Sequence, residues 1–68
     1  METLIVNNNT TNKQLDNAKI INFCITYDND ANNSRVKQAY ERITKTNNYK
    51  IEEISSGSYA INLRATKL

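Results

Sequence analysis

Residues 19–30 read KIINFCITYDND, and this stretch decides the fold. Ile21, Phe23, Ile25 and Tyr27 fall on one face at period two, with Ile20, Asn22, Cys24 and Thr26 on the other. Such alternation, rich in β-branched and aromatic side chains, predicts a strand with one face turned to a core. Asp28-Asn29-Asp30 closes the strand, because short carboxylate and amide side chains hydrogen-bond to nearby backbone and favour turns.

Downstream, the spacing predicts a helix over residues 33–46. Val36, Ala39, Tyr40 and Ile43 sit at i, i+3, i+4 and i+7, one apolar stripe at helical period. Asp30, Asn32, Asn33 and Ser34 are all competent N-caps, so several starting residues fit. Asn47-Asn48 ends the helix, since asparagine tolerates the left-handed conformation common at helix C-termini. Two strand-like runs follow, 49–54 and 59–63, separated by Ser55-Ser56-Gly57-Ser58. The only glycine, Gly57, stands where a short hairpin loop accommodates positive φ. Ile51 and Ile54 have opposite parity, which a bulge would reconcile. Cys24 reads as a small buried apolar group.

Upstream, residues 7–18, NNNTTNKQLDNA, contain only Leu15 and Ala18 as apolar residues and show no period. They read as a loop or mobile lead-in. Residues 3–6, TLIV, fit either a short edge strand or a frayed terminus. The expected organisation is therefore a polar lead-in over 1–18 and a single α+β domain over 19–68. The element order is (β)-β-α-β-β: a small antiparallel sheet with one covering helix.

Composition narrows the chemistry. The chain has 68 residues, nine Lys+Arg against seven Asp+Glu, no histidine and one cysteine. Absent histidine removes Ser-His and Cys-His catalysis and nearly all zinc chemistry; one cysteine removes an internal disulfide framework. The mean hydropathy of −0.71 and the lack of a long apolar run argue against a membrane span or signal peptide. No membrane partner is expected, and the expected setting is the cytoplasm. Twelve asparagines and eight isoleucines resemble translation of an AT-rich gene, as phages, plasmids and other mobile elements often carry. Leu, Ile, Val and Phe number only fifteen, and a chain of this size rarely gains more than about 3–5 kcal/mol from one core. Self-association through the second sheet face, or docking on a partner, would supply further burial; a homodimer is the expectation.

Three sets of side chains could carry function. Asp28 follows the best strand and is held by a rigid element; in a two-fold dimer two copies could share Mg²⁺ and activate water. The alternative is a turn residue or helix cap. Arg35, Gln38, Arg42 and Lys45 form a basic stripe at i, i+3, i+7 and i+10, suited to phosphates or an acidic protein patch. The alternative is a solvated face with pairs such as Glu41 and Lys45. Tyr27 and Tyr59 lie at strand ends, where a ring can stack on a base or anchor a protein, or simply pack. Glu52-Glu53 beside Lys50 reads as a charged edge that discourages strand pairing.

The stretches Ile25-Thr26-Tyr27-Asp28 and Ser55-Ser56-Gly57-Ser58-Tyr59-Ala60-Ile61 resemble a family of small ferredoxin-like proteins. It includes the non-integrase subunit of CRISPR adaptation complexes and virulence-associated protein D. The resemblance spans about residues 20–64. It implies a β-α-β-β core, dimerisation through the sheet, and Asp28 as a metal ligand if the nuclease activity of some members is present. The chain departs from that pattern in having no second helix after the hairpin, so the resemblance implies a half-ferredoxin-like arrangement.

The function expected from these features is a small non-catalytic binding module that inhibits or regulates a macromolecular partner. A host or cognate protein is the expected target, with an anti-CRISPR type of phage inhibitor or an antitoxin as the kind of molecule. The binding residues would be Arg35, Gln38, Arg42, Lys45, Tyr27 and Tyr59, with no cofactor. The alternatives are a dimeric, Mg²⁺-dependent nuclease acting through Asp28, and a non-catalytic nucleic-acid binder.

Overall fold

The computed structural model describes residues 3–68, so the first two residues of the lead-in lie outside the described residues. The fold is α+β. Its elements are β1 (Thr3–Ile5), α1 (Asn12–Asn17), β2 (Ile20–Thr26), α2 (Ala31–Lys45), β3 (Tyr49–Ser56) and β4 (Ala60–Lys67). The four strands form one sheet in the order β1-β2-β4-β3. β1 runs parallel to β2, whereas β4 is antiparallel to both β2 and β3. No helix among the described residues is long and apolar enough to cross a membrane.

The period-two reading of β2 sets the layers. Ile21 and Phe23 are fully buried and stand opposite Ala65 and Leu63 of β4, on the face the helices cover. Val36, Ala39 and Ile43 of α2 are also buried, and the Tyr40 ring meets Phe23 edge-on at 5.4 Å. That perpendicular geometry sets the positive ring edge of one partner against the negative face of the other. The helix starts from an Asp30 N-cap whose side chain accepts the Asn33 N–H at 2.7 Å. It stops at Asn47, whose φ of 57° is left-handed, as the asparagine pair predicts.

Residues 7–18 do not form a structureless lead-in. They contain α1, whose single apolar residue within the helix, Leu15, is completely buried in the common core. A capping box starts this helix: the Thr11 hydroxyl accepts the Gln14 N–H, and the Gln14 side chain accepts the Thr11 N–H. At the other end the Tyr49 hydroxyl donates to the Ala18 carbonyl at 2.6 Å. A helix of six residues with one core contact leaves no periodic trace, which is why hydrophobic pattern misses it; Thr11-Asn12-Lys13-Gln14 is the signal that finds it. Within residues 3–6, β1 forms a parallel edge strand, and Val6, just past its end, is buried with its N–H bonded to the Asn22 carbonyl.

Three smaller expectations change. The strands of the hairpin reach further than expected, leaving only residues 57–59 between them, and Gly57 does not adopt positive φ. The parity conflict of Ile51 and Ile54 is resolved by a register shift between Glu53 and Ser55, which leaves Ile54 exposed. Cys24 is exposed rather than buried, because helices cover only the opposite face of β2.

Candidate functional site

One end of the sheet gathers the side chains that the core does not use. β2 runs toward this end, and Thr26 pairs with Ala60 at the start of β4. The register therefore sets Tyr59, the last residue of the hairpin loop, beside the Tyr27–Asp30 turn. The Tyr59 hydroxyl donates a hydrogen bond to the Asp28 carboxylate. Tyr27 and Tyr59 are 69% and 61% exposed. The hydrogen bond to Asp28, reinforced by the negative charge of Asp28, partial burial and Asp30, holds the Tyr59 phenol above its ordinary pKa.

Asn33 positions this turn. It is 3% exposed and spends both polar ends of its amide on the β2–α2 connection. Its Oδ1 accepts the Thr26 N–H at 2.9 Å, while Nδ2 donates to the carbonyls of Thr26 at 3.0 Å and Asp28 at 2.6 Å. Among the candidate caps, Asn33 is thus a buried latch, and Asp30 is the cap. The latch fixes the backbone on which Tyr27 and Asp28 project, and the Asp28 bond orients Tyr59.

Charge is segregated along the strands. Neither residues 20–34 nor residues 54–63 contain a lysine or arginine, whereas Asp28 and Asp30 stand at the Tyr59 end; Glu52 and Glu53 lie midway along β3. Lys19, Lys45, Lys50 and Lys67 lie at the other end, where β2 and β3 begin and α2 and β4 finish. A chain with a net charge of +2 consequently has an anionic, tyrosine-bearing end.

Two of the four residues of the basic stripe of α2, Arg35 and Arg42, make contacts within the molecule. Arg35 donates through Nε and Nη2 to the Thr10 carbonyl at 3.1 and 2.7 Å, and through Nη2 to Asn12 Oδ1 at 3.0 Å. It pins the loop before α1, and that contact accounts for a cation near a helix start, where the dipole disfavours one. Arg42 pairs with Asp16 of α1 through two contacts, Nε to Oδ1 at 3.2 Å and Nη2 to Oδ2 at 2.9 Å. The hydrogen bond from Arg42 holds the Asp16 carboxyl below the usual carboxylate range; desolvation opposes it, and the Arg42 charge adds to the lowering. Gln38, Arg42 and Lys45 share a shallow groove of about 480 Å³ with Asp16, Glu41 and Thr46. The structure thus brings Tyr27, Asp28 and Tyr59 together, and turns Arg35 and Arg42 into clamps on the N-terminal segment. Their partners come from a stretch that reads as loop, so sequence spacing shows the stripe and not its use.

Asp28 itself is exposed at this end. No group of three or more acidic or cysteine side chains placed to hold a metal ion occurs among the described residues. The fold and site define a small α+β protein that presents tyrosines and carboxylates from one end of its sheet. Comparison with models of known families, with curated proteins and with solved structures finds no match.

Proposed function

We propose that this chain is a non-catalytic binding module that docks its tyrosine-bearing end on a basic surface of a protein partner and thereby inhibits or regulates it. One observation carries the reading: two tyrosines stand exposed at one end of the sheet, flanked by Asp28 and Asp30. Tyrosine is enriched among residues that dominate interface energetics, because it buries large area while keeping a polar tip. The Asn33 latch and the Asp28 bond hold the backbone and one ring before binding, which reduces the ordering cost of association. The surrounding carboxylates favour a lysine- and arginine-rich target, such as a surface that otherwise receives phosphates.

The test is capture of partners from lysate by the tagged chain, with and without nuclease treatment, comparing wild type with Tyr27→Ala, Tyr59→Ala and Arg42→Ala. The expected result is a protein retained after nuclease treatment, bound at least about 30-fold more weakly by a tyrosine variant, as for a hot-spot loss of roughly 2 kcal/mol or more. Arg42→Ala should leave capture unchanged. Recovery of nucleic acid alone, or capture indifferent to both tyrosines, would overturn the reading.

A further inference from the structure

We infer that the free edge of β3 pairs with the same edge of a second copy, antiparallel, with Ile51 opposite Ile51 on the two-fold axis. The sheet order leaves β3 as an outer strand of eight residues. Printed into its ladder is the direction of its backbone groups. The Leu68 N–H bonds the Asn48 carbonyl at 2.9 Å, continuing the register in which Tyr49 faces Lys67 and Lys50 faces Thr66. In an antiparallel pair, bonded residues alternate with unbonded ones. Lys50 and Glu52 therefore bond β4, and Tyr49, Ile51 and Glu53 turn their N–H and C=O groups outward. On the other side of β4, the Lys67 N–H bonds the Lys19 carbonyl at 2.7 Å, which is the alternation this assignment requires.

Side-chain charge then selects one register. A two-fold axis normal to the sheet keeps each residue on its own face, so outward-bonding residues must meet outward-bonding residues. Three registers near the strand centre satisfy this. Centring on Lys50 sets lysine against lysine, and centring on Glu52 sets glutamate against glutamate. Centring on Ile51 sets Lys50 opposite Glu52 of the other copy, twice, with Tyr49 opposite Glu53. Lys50 and Glu52 would occupy the closely spaced unbonded positions, where cross-strand side chains interact most. Within one chain these two side chains lie 3.8 Å apart and exposed, free to re-pair across the axis. The charges that discourage promiscuous edge pairing thus select one self-complementary arrangement.

The edge also suits dimerisation better than the uncovered sheet face. That face carries Ile5, Ile20 and Cys24 toward its β1–β2 side, but its centre is polar: Asn22, Asn62, Arg64 and Ser55 are linked by Asn62–Ser55 and Arg64–Asn22 hydrogen bonds that a face-to-face contact would have to desolvate. In the paired arrangement the two copies of β2 are five strand spacings apart, roughly 24 Å at about 4.8 Å each. Two Asp28 carboxylates would then lie too far apart to share one cation. The anionic tyrosine ends remain free, so this assembly does not depend on the partner proposed above.

Sedimentation equilibrium on the full chain tests the inference, with circular dichroism confirming that each variant is folded. Wild type should approach twice the 7.8 kDa chain mass at high concentration. Glu52→Lys and Lys50→Glu should each lose the dimer, and the double exchange Lys50→Glu/Glu52→Lys should regain it. Ile51→Pro, which removes an outward N–H without touching the β4 ladder, should also give monomer. A monomeric wild type up to millimolar concentration would overturn the inference. So would a dimer indifferent to Glu52→Lys, or folded single variants whose loss the double exchange does not repair.

Discussion

Replacing Asn33 by alanine should destabilise the fold more than any other single change at a polar side chain. The amide makes three hydrogen bonds to backbone groups of Thr26 and Asp28 and is 3% exposed. A neutral hydrogen bond contributes about 0.5–1.5 kcal/mol net, and a donor or acceptor left buried costs about 1–3 kcal/mol. Water can reach part of the Asp28 side of the turn, so the sum for Asn33→Ala is about 2–4 kcal/mol. A chain of this length has roughly 3–10 kcal/mol in all, at about 0.05–0.15 kcal/mol per residue. Loss of about 3 kcal/mol would lower Tm by roughly 12–24 °C, at about 4–8 °C per kcal/mol. Urea unfolding followed by circular dichroism measures it. Asn32→Ala is the matched control: its side chain is exposed and accepts a single bond, from the Asn8 N–H at 2.8 Å. Asn33→Asp adds a chemical signature. Near neutral pH its anionic oxygen would face the carbonyls of Thr26 and Asp28, and protonation would restore one donor. Its deficit should therefore shrink on mild acidification. An Asn33→Ala variant within about 0.5 kcal/mol of wild type, the range of ordinary surface changes, would refute the latch.

Leu15→Ala should cost about 2–5 kcal/mol in urea unfolding, the range for a fully buried leucine, whereas a leucine in a solvated lead-in would cost almost nothing. The Asp16–Arg42 clamp predicts a pH dependence. The folded pKa of Asp16 is depressed, so its contribution is present above the unfolded value near 3.9 and is lost as pH falls through the lower folded value. Thermal melts of wild type and Asp16→Asn should accordingly differ at neutral pH and converge in acid; a constant difference would refute the clamp. Tyr59 titrates late because of Asp28, so Asp28→Asn should move one tyrosinate absorbance step to lower pH. Tyr49, raised chiefly by burial and then by Asp16, should keep its own elevated step in that variant.

The α+β class follows from short-range pattern. β2 is legible because its residues alternate faces within a seven-residue strand, and α2 because its apolar residues recur within a few turns. The Asp28-Asn29-Asp30 turn and the Asn47 stop are equally local, set by side-chain chemistry next to the backbone it bonds. Tyr27, Asp28 and Tyr59 are legible as candidates for the same reason, since each stands at a strand end. Their meeting is not, because it depends on the register that sets Ala60 opposite Thr26.

What only the tertiary structure decides are the contacts between distant segments. α1 has one core residue, and its clamps, Arg35 to Thr10 and Arg42 to Asp16, span 25 and 26 residues of chain. A sequence places a guanidinium on a helix face but does not say what stands opposite it. Here the opposing carbonyl and carboxylate come from a segment whose own pattern reads as loop, so the spacing of the basic stripe does not reveal the intramolecular contacts of Arg35 and Arg42. The same physics separates what this chain's sequence determines by itself from what needs the fold. Periodicity and capping act over a few residues and determine the elements, while strand register and helix packing act across the whole chain and determine which charges remain free.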